Sequence, residues 1–157
     1  MIIKEGTHKP FSWPRIYTKM QVIRYDVYFT ETCRYDLKGP DQEDINKLFG
    51  IGYFPHHQQN SVRFGWNYSK MNDSIRIYGH WYRDGLRYSR LLGDVKLGMW
   101  NTYVIMPSAK SHNLQVLGRG IASTVPVPGL RYGYHLGPYF GGNQKAPHDM
   151  TIMMTRL

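Results

Sequence analysis

Hydrophobic and polar positions alternate with a period of two over much of the chain, the period of a strand with one buried face. At 21–30, Ile23, Tyr25, Val27 and Phe29 share a face. At 61–68, Val62, Phe64, Trp66 and Tyr68 lie opposite Arg63, Gly65 and Asn67. At 74–82, Ile75, Ile77, Gly79 and Trp81 lie opposite Arg76, Tyr78, His80 and Tyr82. The polar link at 69–73 has hairpin length, and Asp84-Gly85 has the chemistry of a tight turn into a strand at 86–92. Further strands are predicted at 101–106, 113–118 and 150–156. Short strands with frequent turn signals predict an all-β antiparallel sandwich.

The central hairpin gives the sharpest expectation. Val62, Phe64, Trp66, Ile75, Ile77 and Trp81 should enter the core, and Arg63, Asn67, Arg76, Tyr78, His80 and Tyr82 should share the other face. A one-residue slip would expose two tryptophans and bury two arginines without partners.

Outside these strands the pattern weakens. Residues 1–20 read as an irregular arm or a lead-in to the first strand, interrupted by Pro10 and Pro14; such an arm would be the element to dock on a partner. Residues 21–157 read as one domain. Asp41 is placed to cap a short helix over 42–48. Residues 50–59 read as loop, 92–98 as a loop closed by Gly93 and Gly98, and 125–129 as a turn or sheet edge, because Pro126 and Pro128 cannot donate to a central ladder.

Composition narrows the class. With 157 residues, 41% hydrophobic and 20% charged, the chain suits one folded domain. Aromatic residues reach 15%, which favours strands and gripping surfaces. The single cysteine, Cys33, excludes an internal disulfide and reads as a half-buried strand thiol. The first residues lack an apolar run of signal-peptide length, and no stretch has the length of a membrane span. The expectation is synthesis in a host cytoplasm, no export by a signal peptide and no membrane partner.

The net charge of +9 favours an anionic partner, either an acidic glycan, an acidic protein surface or nucleic acid. The basic residues are scattered, which argues against a basic nucleic-acid tail.

Three groups of residues are candidates for chemistry. The polar hairpin face could stack on rings through Tyr78 and Tyr82 and pair with carboxylates through Arg63 and Arg76; such faces are also ordinary solvated surface. His56 and His57 could ligate a metal with His80 or His148. Adjacent residues on extended chain point apart, however, and zinc-type spacing is missing, so no metal or other cofactor is expected. In Tyr139-Phe140-Gly141-Gly142-Asn143-Gln144 the glycines permit a sharp bend. No phosphate-binding loop or nucleophile elbow is present. Asp84, Asp94 and Asp149 are too far apart in sequence to suggest a glycosidase pair.

The order of these pieces resembles the concanavalin-like jelly roll of glycan-binding domains and small polysaccharide lyases. The resemblance rests on Ser61-Val62-Arg63-Phe64, Tyr78-Gly79-His80, Tyr139 to Gln144, and the connection Leu92 to Gly98. It covers roughly 45–157 and is one of fold. Two positions before His80 stands Tyr78, where the lyases usually carry Gln. The late motif continues as Gly141-Gly142-Asn143, where they approach a catalytic Tyr. The motifs around His56 to Trp66 and Pro138 to Asp149 are also similar to those of small proteins from Bacteroidota-type bacteria and tailed bacteriophages.

The resemblance implies a non-catalytic binding or structural module, part of a phage particle or accessory to one, with glycan affinity. Its partners would be virion proteins or an acidic glycan, and a homo-oligomer would be compatible with it. The binding residues would be Arg63, Asn67, Arg76, Tyr78, His80, Tyr82 and Asn143. The alternative is a polysaccharide lyase, with Arg63 neutralising a uronate carboxylate and His80 or Tyr139 removing the adjacent proton. A nucleic-acid-binding protein is the third candidate.

Overall fold

The computed structural model describes residues 1–10 and 15–157, so Pro14 lies outside the described residues. Among the described residues, twelve strands form two six-stranded sheets, and every ladder is antiparallel. One sheet, in spatial order, contains β1 (Ile2–Ile3), β12 (Met150–Arg156), β3 (Ile23–Phe29), β8 (Trp100–Pro107), β9 (His112–Val116) and β10 (Ile121–Val125). The other contains β2 (Ile16–Tyr17), β11 (Gly133–Leu136), β4 (Asn46–Tyr53), β5 (Ser61–Ser69), β6 (Ser74–Arg83) and β7 (Leu86–Lys96). The chain crosses repeatedly between the two, giving an antiparallel jelly-roll sandwich.

The alternating apolar faces meet between the sheets. Val27 and Phe29 of β3, Tyr103 and Ile105 of β8, and Val62, Phe64 and Trp66 of β5 have no measurable exposure. Aromatic pairs join the layers: Phe64 meets Tyr103 edge-on at 5.2 Å, and Phe29 tilts against Trp66 at 5.3 Å. The one fully buried histidine of this core, His112, is satisfied on both ring nitrogens. Nδ1 donates to the Val127 carbonyl at 2.7 Å, and Nε2 accepts from the Tyr53 hydroxyl at 2.7 Å.

The central hairpin has the expected register. Arg63 pairs with His80, Asn67 with Arg76 and Ser61 with Tyr82. All six residues expected in the core are buried, Trp66 and Trp81 among them. The turn closes as Asp84-Gly85, both with positive φ, and sets Tyr82 opposite Arg87.

Other expectations are corrected. There is no helix over 42–48. A 3₁₀ turn at Pro40–Glu43, entered from Gly39 with no side-chain cap, leads into β4. Only 54–59 is loop, and 50–53 is the end of β4. Its glycines look like loop residues but mark close packing: a Cβ on Gly50 would lie 2.2 Å from the Val62 carbonyl. The stretch 92–98 is largely the continuation of β7, with a bulge at Leu92-Gly93 absorbing the extra residue. β10 and β11 arise in segments without strong alternation. The first twenty residues supply β1 and β2, one to each sheet, burying Ile3 and Tyr17.

Cys33 lies in a 3₁₀ turn, Glu31–Cys33, and not in a strand. Burial pushes its thiol up to about 12, so it is not poised as a nucleophile.

Candidate functional site

The outward face of β4 to β7 carries a cleft. Its centre is built by strand register. Arg63 on β5 and His80 on β6 are direct cross-strand partners, and His80 faces Ser89 on β7 while Tyr82 faces Arg87. Lys47 on β4 lies opposite Gly65, on the same side. Gly50 stands opposite Arg63, and the missing side chain leaves room for the Arg63 stem, whose Cγ would lie 2.8 Å from a Cβ there.

Two adjoining hollows share Lys47, His80, Arg87 and Gly142. The larger, about 360 Å³, adds Arg63, Tyr82, Tyr139 and the loop residues His57 and Gln58. The smaller, about 230 Å³, runs towards Glu43 and Asp44.

One wall is the segment 137–142. Tyr139 makes a two-bond backbone bridge with Lys47, at 2.7 and 3.0 Å, and its ring stacks on His8 at 4.9 Å and 7°. The Phe140 amide in turn donates to the His8 carbonyl. The N-terminal residues thus brace this wall. Gly141 has φ +70, and a Cβ there would sit 2.2 Å from the Gln144 carbonyl. Its amide donates to Asn46 Oδ1, and the Gly142 amide donates to Asp44 Oδ2. The expected sharp bend is this turn.

The centre is cationic and partly desolvated. Burial pulls Arg63 down to about 10, still charged at neutral pH. Its Nη2 donates to the Gly137 carbonyl at 2.8 Å, while its Nε has no partner among the described residues. Burial, aided by Arg63 and opposed by Asp44, brings Lys47 down to about 8. Its Nζ donates to the Ile45 carbonyl at 2.6 Å. His80 is 3% exposed, and burial with the charges of Lys47, Arg63 and Arg87 drives it down to about 3. It is neutral at physiological pH, and its Nδ1 has no partner among the described residues. Such unmet buried polar atoms are the ones a ligand can satisfy.

The residues expected to form one binding surface therefore divide. Arg63, His80, Tyr82 and Tyr139 line the cleft. Asn67, Arg76 and Tyr78 share their sheet face, but they are engaged by the 3₁₀ turn before β4. Arg76 pairs with Glu43 at 2.5 Å, Asn67 donates to the Glu43 carbonyl, and the Tyr78 hydroxyl donates to Asn67. Asn143 is exposed beyond Gly142 and does not line the cleft.

His57 and His80 line the larger hollow together, but no third ligand joins them among the described residues. Among the described residues no three His, Cys, Asp or Glu side chains are grouped as metal ligands. His57 meets the Tyr134 hydroxyl at 3.3 Å, and His148 meets the Thr32 carbonyl.

Sequence reasoning missed Lys47 and Arg87. Arg87 was within reach: the Asp84-Gly85 turn fixes it opposite Tyr82, and parity then puts it on the His80 face. Lys47 fell in the segment read as helix.

No protein-family model matches the sequence, and no curated protein does. Among solved structures, the chain is similar to the alginate lyase AlyC3, with 9% identity and a TM-score of 0.57, covering 99% of this chain and 67% of that one. AlyC3 in complex with dimannuronate gives a TM-score of 0.54 at 9% identity, covering 100% and 67%. A glycosyl hydrolase family protein from Mycobacterium fortuitum gives 0.50 at 12% identity, covering 92% and 64%. At such identities the likeness is one of fold: this chain is an antiparallel jelly-roll β-sandwich of the architecture found in alginate lyase.

Proposed function

We propose that the protein binds an acidic glycan in the cleft of the β4–β7 face. The observation that carries this is the cluster of Lys47, Arg63 and Arg87 around His80, with buried polar atoms left unpaired. An anionic sugar would meet the cations with its carboxylate or sulfate and satisfy Arg63 Nε, while Tyr82 and Tyr139 offer ring surfaces to sugar faces. The test is calorimetric titration of the protein with acidic and neutral oligosaccharides. Saturable binding of acidic ones alone is expected, and no binding of any acidic glycan overturns the proposal.

A second reading, polysaccharide lyase, is favoured by the neutral, unpartnered imidazole of His80 across the strand pair from Arg63. In a β-elimination, Arg63 would neutralise the uronate carboxylate and His80 or Tyr139 would take the proton at C5. The C4–O bond would then break, with the abstracted proton passed on to the departing O4, giving an unsaturated uronate and a free hydroxyl. Bound carboxylate would also raise His80 from its depressed value and make it a better base. Ultraviolet absorbance of the unsaturated product separates this reading from binding alone. The third candidate, nucleic acid, predicts much stronger retention on DNA than on an uncharged matrix, with steep salt dependence.

The further proposal that the protein is carried in or on a phage particle is supported only by the sequence resemblance. Mass spectrometry of purified particles tests it, and absence of the chain would end it.

A further inference from the structure

The cleft is not uniformly basic. Its larger hollow is lined by Lys47, Arg63 and Arg87, but the smaller hollow ends against Glu43 and Asp44. These two carboxylates differ. Glu43 is neutralised by Arg76 at 2.5 Å. Asp44 makes no ion pair within 4 Å among the described residues, and one of its oxygens accepts from the Gly142 amide at 3.3 Å. Lys47, which lines the same hollow, has its Nζ turned to the Ile45 and Gly141 carbonyls. A glycan crossing from the larger hollow into the smaller therefore leaves Arg63 behind, passes Lys47 and Arg87 at the boundary the two hollows share, and meets at the far end a carboxylate that no ion pair neutralises among the described residues.

A polymer with an anion on every unit would set its carboxylate against Asp44 whenever the neighbouring unit occupied the cationic centre. Such like-charge juxtaposition selects against a ligand without any steric block. An uncharged sugar in the same place offers hydroxyl or amide donors to the carboxylate instead.

Resting on the acidic-glycan reading of this site, we propose that the cleft recognises a mixed-charge glycan. An anionic unit sits among Lys47, Arg63 and Arg87, and an uncharged unit sits over Asp44. Polymers charged at every unit are the disfavoured class.

The test uses the full chain and three length-matched probes in calorimetry at low salt: oligomannuronate, an oligosaccharide alternating glucuronate with N-acetylglucosamine, and a neutral cello-oligosaccharide. The alternating probe should bind about tenfold more tightly than oligomannuronate, the range expected for one unscreened like-charge contact. Asp44→Asn keeps an acceptor for the Gly142 amide and removes the charge. It should bring oligomannuronate to within about twofold of the alternating probe, by raising affinity for oligomannuronate and weakening the hydrogen bonds of the alternating probe's uncharged unit. If Asp44→Asn does not fold, Asp44→Ser makes the same comparison.

Wild-type binding of oligomannuronate as tight as that of the alternating probe overturns the inference while leaving acidic-glycan binding intact. A preference that survives loss of the Asp44 charge overturns it too. Binding of neither acidic probe removes the inference together with the reading on which it rests.

Discussion

At the scale of single residues, the site is defined by groups held in unfavourable protonation or solvation states. His80 is the clearest. Its value falls from 6.5 to about 3 in the folded protein, first through burial and then through Lys47, Arg63 and Arg87. Between those values the unfolded chain binds the proton and the folded one does not, so stability is full above about 6.5 and declines as pH falls towards 3. His135, half-buried near Arg15 and Arg156, is lowered to about 4 by desolvation and by those charges, and acts in the same direction. Thermal melts between pH 7 and 4.5 should therefore show Tm falling steadily, and His80→Gln should flatten the slope. An unchanged slope in that variant would mean that His80 is not held neutral.

Lys47 has the opposite consequence, for binding. Its charge is present below about 8 and is lost above. Affinity for an anionic glycan should drop as pH rises through 8, and Lys47→Arg, which stays charged, should remove the drop. Calorimetry at pH 7 and pH 9 is the check.

At the scale of elements, the polar face of the β5–β6 hairpin has two halves with different work. The half near β4's entry is covered: Glu43 holds Arg76 and Asn67. Arg76→Ala with Tyr78→Ala should lower stability by about 1–3 kcal/mol, as losses of partly buried polar contacts do, and leave glycan affinity nearly unchanged. Denaturant unfolding and titration of the same variant separate the two effects. Loss of binding with unaltered stability would mean that the covered half also contacts ligand.

The wall is equally specific. Gly141→Ala forces a side chain into a left-handed conformation and onto the Gln144 carbonyl. Tyr139 should lose its placement, and affinity should fall together with a drop in Tm.

The hairpin was legible because its two-residue period and its Asp84-Gly85 turn each fixed the same register. β4 was not. Gly50 and Gly52 look like loop residues in sequence, but Gly50 exists to admit the Arg63 stem and Gly52 to admit His57, whose Cβ would lie 2.8 Å from a Cβ there. Long-range packing, which leaves no local periodicity, is what turned this segment into a strand and Lys47 into a site residue. The engagement of Arg76 by Glu43 was invisible for a similar reason: the partners are thirty-three positions apart and meet through a 3₁₀ turn.

At the scale of the whole molecule, the sandwich gathers on one face a charge that is scattered along the sequence. Lys47, Arg63 and Arg87 come from three strands, and register alone assembles them. The N-terminal residues are built into both sheets and brace Tyr139 through His8, so one wall of the cleft rests on them. The fold is shared with alginate lyase, but fold alone does not assign chemistry. The charged cleft carries the functional claim, and its charge can be removed without touching the core.

The most direct measurement is calorimetric titration of a uronate-bearing oligosaccharide into wild-type protein and into the double variant Lys47→Gln, Arg87→Gln, at low and at physiological salt. Arg87 is exposed and Lys47 is half-buried at the cleft, outside the core, so the variant should keep the wild-type circular dichroism, with Tm lowered only by the loss of the Lys47 bonds to the Ile45 and Gly141 carbonyls. One-site binding to the wild type that weakens with salt is expected, with at least a tenfold loss in the variant, about 1.4 kcal/mol or more. Equal affinity of the two proteins, or no binding of the acidic glycan by the wild type, would contradict the proposed function.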